Sequence, residues 1–155
     1  MNFFKELFGN YLLMSAVCGW LLAQILKVFT GMFSQRKFNF FHLLFSNGGM
    51  PSSHAAAVAA LTTSAGIAYG VGSAAFAISG LLSIIVMNDA IGVRYETGEQ
   101  AKILNRITKE LFSGNPEDIN TGLKELVGHT PFQVVMGALT GIVVGVAMAF
   151  LMGQL

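Results

Sequence analysis

GGMPSSHAAAVAALTTSAGIAYG, residues 48–70, opens on a tight polar cluster and runs into small apolar side chains. A histidine, His54, stands where the hydrophobic segment starts, behind Pro51, Ser52 and Ser53. The rest of the chain gives that junction its meaning. Of 155 residues, 54% are hydrophobic and only 11% charged, with a mean hydropathy of +0.63. Soluble domains carry about a quarter charged residues, so this composition belongs to the bilayer. The expectation is one integral membrane domain over residues 1–155, all-α, a polytopic helical bundle. A net charge of +1 from few basic residues gives no reason to expect a nucleic-acid partner. Cys18 has no second cysteine to pair with and reads as a small buried hydrophobe.

A spanning helix needs about 20 mainly apolar residues. Four segments approach this: 11–33, 53–70, 72–88 and 132–152. The first follows MNFFKELFGN, which mixes Lys5 with Glu6, and it is too long for a signal-peptide core, so it reads as a retained helix. The second and third are separated only by Gly70 to Gly72 and predict a helical hairpin. The fourth carries Gly137, Gly141 and Gly145, a small-xxx-small face that lets backbones approach closely.

Between the third and fourth spans lies a polar insertion, residues 89–131. Thr97-Gly98-Glu99-Gln100 fits a capping box that opens a helix to about Phe112. Ala101, Leu104, Ile107 and Leu111 share one face of it, and Lys102, Arg106 and Lys109 another, the pattern of an amphipathic helix lying at the membrane interface. Asn115-Pro116 predicts a second helix, with Ile119, Leu123 and Leu126 periodic. Four spans put loops 34–52 and 89–131 on one side, together with Arg36, Lys37, Arg94, Lys102, Arg106, Lys109 and Lys124, with Lys27 just inside. Only Lys5 lies on the other side. The positive-inside rule then predicts cytoplasmic polar loops and external termini, in a plasma membrane of bacterial type.

Candidate chemistry gathers at that predicted surface. A helix starting near Ser52 or Ser53 offers unpaired N–H groups and a positive dipole end to a phosphate, with His54 in the first turn as a proton donor. In Gly128-His129-Thr130-Pro131-Phe132-Gln133, Thr130 as cap, Pro131 as first helical residue and Gln133 three after the cap form a capping box. The cap does not explain His129, whose imidazole can attack phosphorus or carry a proton near neutral pH. Asp89, Glu96 and Glu99 offer a different reading, a magnesium site for phosphoryl transfer. Arg94, near Asp89, reads either as its ion-pair partner or as a phosphate ligand.

GGMPSSHAA, NDAIGVRYETGEQAKILN and GHTPFQVVMGAL together resemble a divergent branch of the type 2 phosphatidic acid phosphatase superfamily, the acid phosphatase or vanadium-dependent haloperoxidase-related membrane proteins. The resemblance covers most of the chain from about residue 20. It implies a lipid phosphomonoester or pyrophosphate phosphatase working without a resident cofactor, with phosphate or vanadate able to occupy the site. It further implies that His129 attacks phosphorus and His54 protonates the leaving alcohol. Lys27, Arg36 and Arg94 would neutralise phosphate oxygens, with Ser52 and the amide of Ser53 donating hydrogen bonds. Asp89 and Gln133 would support the site. Ser53 stands where the superfamily has glycine, Leu123 where it has arginine, and Gln133 where it has a carboxylate. A lipid-phosphate binding or transport protein is the alternative on the same fold. The expected partners are membrane lipids, a phosphorylated lipid and, to complete a small core, further copies of the chain.

Overall fold

The computed structural model describes residues 2–34, 49–111, 123 and 128–154. Among these the chain is helical, with no strand: α1 (Phe3–Phe8), α2 (Tyr11–Ser34), α3 (Ser53–Tyr69), α4 (Ala74–Ile91), α5 (Val93–Leu111) and α6 (Pro131–Leu151). Three stretches are long and apolar enough to cross a membrane: Tyr11–Gly31, the one that begins at Ala74, and Pro131–Leu151. The protein is a membrane helical bundle.

The segment expected as the second span, 53–70, is α3, of only 17 residues. At about 1.5 Å per residue it is a few ångströms short of a 30 Å hydrocarbon core. It compensates by being central, packed against α2, α4 and α6. Between His54 and Tyr69, at its two ends, no residue of α3 is exposed. Its small side chains make that possible. Gly137, Gly141 and Gly145 of α6 lie on Ala55, Ala59 and Thr63, so close that a Cβ at Gly137 or Gly141 would overlap the backbone of Ser52 or Ala56. From another side Gly19 of α2 approaches Ala56 and Ala60, where an added Cβ would sit 2.9 Å from the Ala56 carbonyl oxygen. Two helices therefore grip α3 through glycine.

Hydroxyls reinforce the packing between helices. Ser83 on α4 donates to the Val58 carbonyl of α3 at 3.0 Å and lies 2.8 Å from the Thr62 hydroxyl. Tyr11 donates to the Gly145 carbonyl at 3.3 Å. The α3–α4 hairpin turns at Gly70, whose φ of +78° suits glycine, and Ser73 caps α4 by accepting from the Phe76 N–H.

The C-terminal ends of α2 and α4 meet the N-terminal ends of α3 and α6. Thr30 donates to the Met50 carbonyl, Ser52 N–H to the Gln133 carbonyl at 3.0 Å, and His129 N–H to the Ala90 carbonyl at 3.1 Å. Both connections that carry the expected polar loops leave from this end.

The interfacial helix begins earlier than its sequence pattern indicates. α5 starts at Val93, and the Thr97 hydroxyl bonds back to the Val93 carbonyl at 2.7 Å, inside the helix rather than at its cap. The reason is the corner at Gly92: this single residue separates the end of α4 at Ile91 from the start of α5 at Val93, so the new helix is already under way when the chain reaches Thr97. Leu104, Ile107 and Leu111 are exposed on α5. The second helix expected in the insertion lies outside the described residues except for Leu123, whose N–H and C=O both bond to the Asn105 side chain.

Candidate functional site

The first element of the site is the start of α3. Ser52 is its cap, accepting from the Ala55 N–H at 3.4 Å, and both Ser52 and Ser53 are buried. His54, one residue into the helix, is exposed. Ahead of the cap, Gly49 has a φ of +97° and lies against the buried Lys27, whose Cγ would be 3.1 Å from any Cβ placed there. A side chain at 49 would be strained and would also press on Lys27.

The second element is the start of α6. Thr130 caps the helix, and the expected capping box is present, with Gln133 N–H bonding to the Thr130 hydroxyl at 3.4 Å. The Gln133 side-chain oxygen accepts from the Thr130 N–H at 3.0 Å and lies 3.3 Å from Nδ1 of His129. These two contacts assign the tautomer. The backbone N–H can only donate, so the amide presents its oxygen, and the oxygen can only accept, so Nδ1 carries a proton. In the neutral ring Nε2 is then left with its lone pair. His129 is 2% exposed. Burial holds its pKa below the ordinary 6.5, and the charges of Lys27, His54 and Arg94 push the same way, against the bond to Gln133. The ring is neutral at neutral pH, the form in which Nε2 is a nucleophile.

The third element is the α4–α5 corner. Asp89 in the last turn of α4 and Arg94 in the first of α5 form an ion pair, Oδ2 to Nε, at 2.5 Å. The corner is seated on the approach to α6 through the Ala90–His129 bond. It is also held through Gly128, where any Cβ would overlap the backbone of Arg94 and Tyr95.

These three elements enclose a cavity of about 220 Å³, lined by His54, Ile85, Val86, Asp89, Ala90, Arg94 and His129. At ~30 Å³ per water it has room for a phosphate-sized anion and not for a lipid's chains. The structure thus brings His54, His129, Asp89 and Arg94 together in the wall of one cavity, with Gln133 beside His129. Lys27, Ser52 and Ser53 are buried and not on that wall, although the Lys27 charge acts on His129. Arg36 lies outside the described residues. The carboxylates considered for magnesium do not converge: Asp89 faces Arg94 and Glu99 pairs with Lys102 at 2.6 Å. Among the described residues no three His, Cys, Asp or Glu side chains gather in a metal-binding group.

Sequence reasoning missed the apolar part of the wall, Ile85, Val86 and Ala90, because α4 reads as uniformly lipid-compatible. It also missed the Ala90 carbonyl as the anchor of His129. A glycine directly before the histidine was the available signal for the close approach at residue 128.

The family described as Divergent PAP2 matches residues 8–144 of the chain. A Bacillus subtilis (strain 168) protein described as uncharacterized membrane protein YuiD is 37% identical over 155 residues, taking in 94% of this chain and 98% of its own. No solved structure matches.

Proposed function

Because the chain belongs to the divergent PAP2 family of membrane proteins, we propose that it is a phosphatase that hydrolyses a lipid phosphomonoester or pyrophosphate through a histidine nucleophile. The observation that carries this reading is the shared cavity of His54 and His129, with Arg94 on the same wall.

In the first step the Nε2 lone pair of His129 attacks phosphorus and the P–O bond to the leaving alcohol breaks. His54, as imidazolium, gives its proton to the departing oxygen. In the second step water attacks the phosphohistidine, neutral His54 takes a proton from that water, the P–N bond breaks and orthophosphate leaves. Phosphoryl transfer asks mainly for charge stabilisation on the non-bridging oxygens. Arg94 supplies it from the wall and Lys27 from the buried end of α2. The N-terminal amides of α3, Ser53 among them, have no partner within the helix and add positive dipole. Arg36 is a further cation in this reading, carried over by resemblance. Ile85 supports a lipid substrate, because it lines the cavity and is also 56% exposed on the apolar face of α4. Headgroup phosphate fits inside while chains lie outside along that helix. Basic residues on the loop side support a cytoplasmic site in a plasma membrane.

Gln133 favours a second reading, a protein that binds lipid phosphate without turning it over. An amide orients His129 but lacks the charge that stabilises an imidazolium. Phosphate release from phosphatidic acid, phosphatidylglycerophosphate and isoprenyl pyrophosphates by purified protein separates the two. His54→Ala is expected to slow release by about 10²–10⁴-fold, and His129→Ala to abolish it. Release unchanged by either substitution would remove the mechanism, and lipid binding without release would favour the second reading.

A further inference from the structure

A carboxylate on the wall of an anion site is electrostatically unfavourable unless it does something for a neighbour. In a continuous helix, residues five apart are about 140° round the axis from each other and do not meet. Asp89 and Arg94 meet because the helix breaks at Gly92, with φ −91° and ψ −92°, and the chain turns the corner between them. That corner is fixed against the start of α6 at Gly128 and His129. Asp89 is not the orienting carboxylate of His129, since Nδ1 already faces the Gln133 oxygen. Its partner is the Nε–H of Arg94. Among the described residues Arg94 bonds through Nε alone, which leaves both Nη nitrogens of a group with five N–H donors. A guanidinium held by Nε has its two-nitrogen edge free to take two oxygens of one oxyanion.

We infer that Asp89 is a positioning residue. It anchors Arg94 through Nε and turns the Nη edge into the cavity that His54 and His129 line, so that a phosphate is gripped at two oxygens. This rests on the phosphatase reading and assigns the carboxylate of the site to the anion-binding arginine rather than to the nucleophile.

The test is orthovanadate binding by the full chain in lipid nanodiscs, alongside phosphate release. Asp89→Asn is expected to weaken vanadate about 10- to 100-fold, with Asp89→Glu recovering part of the loss. In an Arg94→Gln background the same substitution should cause no further loss, the non-additivity of two residues acting as one unit. Vanadate affinity unchanged in Asp89→Asn, or losses that simply multiply in the double variant, would overturn the inference and leave the phosphatase reading standing. Should Asp89→Asn not fold, Arg94→Lys decides. Lysine keeps the charge and the ion pair but has no two-nitrogen edge, so full vanadate affinity in that variant would overturn the proposal. Wild-type protein that neither binds vanadate nor releases phosphate would overturn both readings together.

Discussion

α3 and α4 are neighbours in sequence, joined by a short turn, and both are mainly apolar, yet they meet opposite surroundings. α3 exposes nothing between its terminal His54 and Tyr69, while α4 exposes Ile78, Leu81, Leu82, Ile84 and Ile85. Side-chain size separates them. Lipid chains are as apolar as leucine, so in a bilayer the drive for helix association comes from close packing, and small residues permit it. Alanine, serine and glycine put a helix inside the bundle, and branched aliphatics face it outward. The site sits where the two kinds of helix meet, with His54 from the inner one and Ile85, Val86 and Asp89 from the outer.

The sharpest way to break this contrast is at the seam. Gly141→Leu would drive a side chain into the Ala56 carbonyl and to within 2.8 Å of the Ala59 Cβ. We expect a loss of more than about 3 kcal/mol, read as failure to recover folded, monodisperse protein. Leu81→Ala on the outward face, 60% exposed, should change the melting temperature little, within about 0.5 kcal/mol. Equal sensitivity at the two positions would mean that α4 is as enclosed as α3.

A second contrast is between the two histidines, one buried and one at the mouth. In the proposed mechanism neutral His129 attacks, and burial holds its pKa below the ordinary 6.5, so the acidic limb of phosphate release should lie below pH 6.5. Gln133→Glu puts a carboxylate on Nδ1, which favours the imidazolium, and should move the acidic limb up by about one pH unit. An acidic limb at or above pH 6.5 in the wild type, or one that Gln133→Glu leaves in place, would contradict this arrangement. A small effect is expected at the hydroxyl pair: Ser83→Ala removes the bonds to Val58 and Thr62 and should cost roughly 0.6 kcal/mol, measured by thermal denaturation.

Much of this architecture can be read in the residues, because helix starts and small-residue faces are local patterns. The capping box at Thr130, the glycine stripe of α6 and the α3–α4 hairpin all stand where spacing puts them. Hydropathy is blind to the difference between lipid and protein as surroundings, so α3 read as one span among four rather than as the centre. The start of α5 was misplaced because Thr97 carries a cap signature that an upstream corner overrides. The histidines were visible as two polar residues at two apolar helix starts. The Asp89–Arg94 pair was not decidable, because whether residues five apart meet depends on the turn at Gly92, which no periodicity reports.

The single oxygen of Gln133 that receives both the Thr130 amide and the His129 ring has a thermal consequence. Whatever frays the first turn of α6 also releases the imidazole, and end turns loosen well below the temperature at which a helix bundle melts. Heating should therefore inactivate the protein reversibly while its helical circular dichroism is still intact, with the loss of turnover tracking amide exchange at residues 130–133.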